Sequence, residues 1–168
     1  MPEAIPPLAY ASLAELYQHY VQEYVQASPI IAVCGCRIYC YEHNFVHMVK
    51  LSVPGQERLF FPEEKPKIVA TAEGFGNYEH EARRAVRLVA SLEVLRNPDM
   101  VMRTPHLRTG DRAFIKEFAD SQYPFIVVVV HRDGNQLVLT TAQPTRRRNL
   151  KEWMKGEKLF PKTPQPPG

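Results

Sequence analysis

His47 stands within Asn44-Phe45-Val46-His47-Met48-Val49-Lys50-Leu51, an apolar stretch of strand type. Period-two alternation puts it on the same side as Phe45, Val49 and Leu51. An imidazole there has two readings: a core histidine hydrogen-bonded to backbone, or an acid or base at the floor of a cleft. His80 and Arg84 are spaced i, i+4 on a helical stretch, and Arg87 and Ser91 continue the row. Helical geometry sets this row opposite Ala82, Val86 and Val89 and turns it to solvent, with Arg83 at the edge of the apolar stripe. Arg112, Phe114 and Lys116 share one face of a strand, where Arg112 or Lys116 could hold a phosphate. A lysine guarding an edge strand against aggregation is the other reading. Alternation points Thr140 and Thr141 to opposite faces, so at most one hydroxyl meets a given cleft. Arg146, Arg147 and Arg148 lead into a last helix and suit either a polyanion backbone or a solvated helix end. His131 closes an apolar strand beside a turn and reads as a surface residue.

A set of His, Arg, Lys and Thr is the kit for cutting RNA without a metal. A base takes the ribose 2′-hydroxyl proton, an acid protonates the leaving 5′-oxygen, and cations hold charge on the phosphorus. Histidine suits the proton transfers because its pKa lies near neutrality, and arginine suits the phosphate through its planar fork. Stronger motifs are missing from the sequence: it has no P-loop, no G-x-G-x-x-G, no G-x-S-x-G, and no acidic pair of glycosidase or two-metal type. Cys34, Cys36 and Cys40 fit no standard metal spacing and read as reduced, buried thiols. A zinc site through Cys40, His43 and His47 is the competing reading.

The elements that must position these side chains follow from 168 residues with 45% hydrophobic content, enough for one ordinary domain. Net charge is +3, a mild basic bias. No run of 18 apolar residues and no secretory leader is seen, so a cytoplasmic protein without a membrane partner is expected. Residues 1–28 read as a helical lead-in, with Ser12 as N-cap and Leu13, Leu16, Tyr17, Tyr20 and Tyr24 on one stripe. Residues 29–160 read as one α+β domain and 161–168 as a disordered tail. Strands are expected in "IIAVCGCRIYCY", "NFVHMVKLSV", "ERLFF", "MVMRT", "RAFIKEF", "PFIVVVV" and "QLVLTTA". The run "FIVVVV" lacks polar alternation, as a central strand covered on both faces would. Asp133-Gly134 marks a hairpin. Residues 78–96 read as the main helix and "RRNLKEWMKG" as a short final one docked by Trp153 and Met154. The order predicts an α+β fold with helices packed on one face of a curved, mainly antiparallel sheet.

The stretch "HNFVHMVKLSVPGQERLFF" resembles the first strand pair of phage-associated nucleases of the Barnase–EndoU–colicin–RelE-like (BECR) class. "YEHEARRAVRLVASLEVLRNPDMVM" is similar to that family's helix-to-strand passage, and "FIKEF", "FIVVVV" and "LVLTTAQP" with the basic helix to its remaining strands and end. The resemblance spans roughly residues 40–160; Met48 and Lys50 stand where the pattern has Leu and Gly. It implies a ribonuclease-like sheet and a metal-independent endoribonuclease without cofactor, leaving a 2′,3′-cyclic phosphate. His47 and His80 are then the acid/base candidates, Arg84 and Lys116 the phosphate holders, and Thr140 or Thr141 an accessory contact. Arg83, Arg112, Arg146, Arg147 and Arg148 are the candidates for gripping RNA. The setting implied is a toxin or phage-associated effector with an immunity or antitoxin partner. The alternative is an inactive domain of the same fold that binds RNA or a protein.

Overall fold

A computed structural model of the chain describes residues 2–5, 13–33, 35–45, 88–104 and 110–161, with the side chains of 13, 14 and 43 outside it. The expected strands over 46–53 and 57–61, and the upstream part of the main helix, lie outside the described residues.

Helix α1 (Leu13–Tyr20) runs on into one π-helical turn, Val21–Val25. Strands β1 (Ile30–Ile31) and β2 (Arg37–Tyr39) form a small hairpin that turns through Gly35 at φ 78. The sequence suggested one continuous strand here; a glycine in the left-handed region breaks it. A 3-10 turn, Glu42–Asn44, follows, and Phe45 keeps a helical backbone. The strand expected to begin at Asn44 therefore does not do so. Helix α2 covers 88–96. Strands β3 (Met100–Arg103), β4 (Arg112–Glu117), β5 (Phe125–Asp133) and β6 (Gln136–Thr145) then form a meander, as expected. Gly134, at φ 60, sits in the turn between β5 and β6. Helix α3 (Leu150–Trp153) and strand β7 (Lys158–Phe160) close the described chain, β7 having been missed in the sequence.

Among the described residues the strands make one seven-stranded sheet in the order β1-β2-β6-β5-β4-β3-β7. These strands pair antiparallel, with β2 and β6 running parallel. The fold is thus α+β with a curled sheet. β5 lies between β4 and β6 and buries both faces. Ile126, Val128 and Val130 meet the core under the helices, while Phe125, Val127 and Val129 meet a second apolar cluster.

The larger core holds α1 and α2 against the first face. Leu16, Tyr20 and Tyr24 carry the stripe of α1 into it and are fully buried, with Phe45, Leu88, Leu95 and Phe114. Buried tyrosine hydroxyls need partners. Tyr20 donates to the Tyr41 carbonyl at 2.7 Å and Tyr24 to the Leu88 carbonyl, which fixes α1 to α2. Tyr17 donates to Glu42 at 3.1 Å; burial and then the adjacent carboxylate push its phenol up to about 12. The smaller cluster (Met102, Ala113, Ile115, Phe125, Val127, Val129) lies on the second face, where Leu150 and Trp153 of α3 pack on it. Trp153 docks α3 as expected, whereas Met154 is exposed. Among the described residues no helix is long and apolar enough to cross a membrane.

Candidate functional site on the second sheet face

β5 and β6 decide which side chains meet. Their register runs from Asp133↔Gln136 through His131↔Val138 to Val130↔Leu139, then jumps to Val129↔Thr141. The jump leaves Thr140 as the extra residue of a β-bulge. Its hydroxyl meets His131 Nδ1, and Thr141 stands opposite Val129. Val129 and His131 alternate onto the second face, so both threonines project there. The expectation of opposite faces fails because the bulge adds one residue and resets the alternation.

His131 is half-buried and bonded, not a loose surface residue. Thr140 Oγ1 also donates to the Val138 carbonyl at 3.2 Å. The hydroxyl is thus shared between the His131 ring and the Val138 carbonyl and fixes the ring through Nδ1. A ring fixed through Nδ1 presents Nε2 for proton transfer. Tyr39 joins this face through the register Tyr39↔Val138, and Gln143 through Val127↔Gln143. Together they form a polar strip beside the Trp153 cluster. A signal for His131 was present in the sequence: counting back from the Asp133-Gly134 turn places it across from Val138, two residues short of Thr140.

The other expected residues distribute differently. His47, His80, Arg83 and Arg84 lie outside the described residues. The row drawn from His80 through Arg84 and Arg87 to Ser91 was expected to face solvent, yet Ser91 is fully buried. The buried side of α2 is centred on Leu88, Ser91 and Leu95, rotated from the apolar stripe chosen in the sequence. Lys116 shares the first face with Phe114, away from the threonines. It is 9% exposed and donates to the Asn97 carbonyl at 2.9 Å, with a Glu93 carboxylate oxygen at 4.0 Å. A cation there serves the C-terminal end of α2. The cavity beside it, about 400 Å³, also carries Glu3, Asp99 and Glu117, which oppose a phosphate. Nor does Lys116 guard an edge, because β4 lies between β5 and β3.

The three C-terminal arginines part company. Arg146 donates to the Tyr123 hydroxyl at 3.2 Å and lies 5.1 Å from that ring centroid. Arg147 pairs with Glu117 at 2.5 Å and covers the Phe125 ring at 5.1 Å. Arg148 is exposed. At the far end of the sheet, Arg112 Nε donates to Asp111 Oδ1 at 2.7 Å and its Nη1 meets Cys36 Sγ at 3.0 Å.

Burial alone would raise the Asp111 carboxyl, but hydrogen bonds and charge from Arg112 and then Arg132 outweigh it and hold it below the usual carboxylate value. A depressed folded-state pKa gives stability that is present above the unfolded value and lost as pH falls through the folded one. Acidification below about pH 4, the ordinary aspartate value, should therefore destabilise the protein. Asp111→Asn should remove that part of the dependence and cost about 1.5–3 kcal/mol at neutral pH, the scale of a hydrogen bond to a charged group. Urea melts of both proteins across the acid range check this.

The cysteines divide too. Cys36 is disulfide-bonded, against the expectation of a reduced thiol, while Cys40 is free and buried as expected. Burial pushes the Cys40 thiol up to about 12, which keeps it protonated at neutral pH. The side chains of His43 and His47, the other members of that zinc reading, lie outside the described residues.

Comparison with known proteins adds one finding. Residues 44–161 match the model of PBECR2, phage-Barnase-EndoU-ColicinE5/D-RelE like nuclease2. No curated protein and no solved structure matches the chain.

Proposed function

This chain belongs to the phage-Barnase-EndoU-ColicinE5/D-RelE like nuclease2 family, a nuclease family of the BECR type, and on that premise we propose that it cleaves RNA by 2′-hydroxyl transesterification without a metal. The observation that carries the reading is the His131–Thr140 pair on the second sheet face. His131 Nε2 takes the proton from the ribose 2′-hydroxyl. The freed oxygen attacks the adjacent phosphorus, the bond to the 5′-oxygen breaks, and an acid returns a proton to that oxygen. One fragment ends in a 2′,3′-cyclic phosphate and the other in a 5′-hydroxyl.

Two protons move, so a second group is needed. His47 and His80 remain its candidates through the family pattern, with Arg83 and Arg84 as phosphate contacts. Thr141, on the same face as Thr140, can donate to a non-bridging phosphate oxygen. Thr140 positions the His131 ring and does not itself react. The setting we propose is a cytoplasmic toxin or phage-associated effector restrained by an immunity or antitoxin protein.

The test is substrate dependence. In the presence of a chelator, an oligonucleotide of deoxynucleotides with a single ribonucleotide should be cut only after that ribonucleotide. The all-deoxy version should stay whole, because the internal nucleophile is missing. Cleavage of both, or of neither, sinks the reading. Met48 and Lys50 favour a second one, an inactive domain of the same fold that binds RNA or a protein. Binding without any cleavage of the ribonucleotide substrate would support it.

A further inference from the structure

At the hairpin end of the sheet three arginines gather on one carboxylate. Arg103 and Arg112 are direct cross-strand partners, and Arg112 stands opposite Val130, two residues from Arg132. Like charges placed opposite each other on a sheet repel. Asp111 offsets this: its Oδ1 accepts from Arg112 Nε at 2.7 Å, and its Oδ2 lies 3.2 Å from Arg132 Nε and 4.0 Å from Arg103 Nη1. Glu157 stands 3.7 Å from Arg103 Nε but is 71% exposed. Among the described residues, three arginines against two carboxylates leave one positive charge over.

The arginines are not used alike. Arg112 is mostly buried and spends its donors on Asp111 and Cys36. Arg132 and Arg103 have side chains 51% and 43% exposed. Arg132 gives Nε to Asp111, and among the described residues its Nη groups meet no acceptor. Both exposed arginines approach the same carboxylate oxygen, Arg132 at 3.2 Å and Arg103 at 4.0 Å, which sets their guanidinium groups side by side. Side-by-side planar forks with an unbalanced charge match the oxygens of a phosphate.

We propose that Arg132 and Arg103, arranged by Asp111 and Arg112, form a binding site for one phosphodiester group of a single-stranded nucleic acid. Arg132 directly follows His131 and alternates onto the opposite face. A strand lying over the His131 face would reach this cluster by rounding the end of the sheet. The site thus sets where a strand enters or leaves, and makes no contact with the reacting phosphorus. The proposal rests on the reading above only in taking nucleic acid as the ligand; a protein that cuts nothing would still bind through it.

The experiment measures binding of a labelled single-stranded deoxy-oligonucleotide to the full chain by fluorescence anisotropy over a range of salt. This probe lacks the 2′-hydroxyl, so failure of the cleavage reading does not disturb it. Arg132→Gln should lower the slope of log affinity against log salt by about 0.7, the value of one neutralised phosphate on a single strand. Arg103→Gln combined with Arg132→Gln should lower it at least as much, in a protein that still melts cooperatively. Arg96→Gln, at the exposed end of α2, should leave the slope as it is. An unchanged slope in the folded double variant, or a parent protein that does not bind the probe, overturns the proposal.

Discussion

His131→Gln is expected to slow RNA cleavage by about 100-fold or more, the usual scale for a general acid or base, with little change in melting temperature. Glutamine can keep one hydrogen bond to Thr140 but cannot take up and release a proton near neutral pH. His131 is half-buried at the end of β5, outside both apolar clusters, so the fold loses little. The same assay applied to His47→Gln and His80→Gln completes the account. A reaction with one base and one acid should show a loss of this size in one of those two as well. Thr140→Val should cost less than His131→Gln, because the ring keeps its proton-transfer chemistry and loses only its orientation. An His131→Gln protein that folds and cuts at the parent rate removes this residue from the mechanism.

Phe114→Ala is expected to give the reverse pattern. Phe114 is fully buried on the first face of β4, opposite Val128 on β5 and Val101 on β3, under the two helices. Truncating such a ring removes its burial and leaves a cavity, a loss of about 3–5 kcal/mol. For a chain of this length that lowers the melting temperature by about 6–20 °C. Phe114 faces away from His131, so below the transition the cleavage rate should stay near that of the parent protein. A thermal melt and an initial rate on one preparation give both numbers. A small stability loss would mean that the first face does not carry the main core.

Which parts of this molecule were legible in the sequence follows from what each signal measures. The β4–β5–β6 meander was readable because apolar runs and a positive-φ turn residue are local properties: "FIVVVV" needs two covered faces, and Gly134 supplies the turn. The stripe of α1 was readable for the same reason, and Leu16, Tyr20 and Tyr24 are all buried. The facing of Thr140 and Thr141 was not, because a bulge is a property of two strands in register and leaves no mark in the alternation of one. The rotation of α2 was misjudged at Ser91, a small polar residue that a hydrophobicity pattern assigns to water while the packing buries it. β7 was missed because Lys158–Phe160 is too short to show a period, and its pairing with β3 supplies the strand. The candidate site was the hardest part. His131 looked like a hairpin residue, and only the cross-strand register joins it to Thr140.

The measurement that bears most directly on the proposed chemistry is the 3′ terminus of the RNA fragments released by the parent protein in the presence of a chelator. Transesterification by protein side chains predicts a 2′,3′-cyclic phosphate there and a 5′-hydroxyl on the other fragment. Fragments ending in a 3′-hydroxyl, or cleavage that begins only when a divalent metal is added, would contradict it.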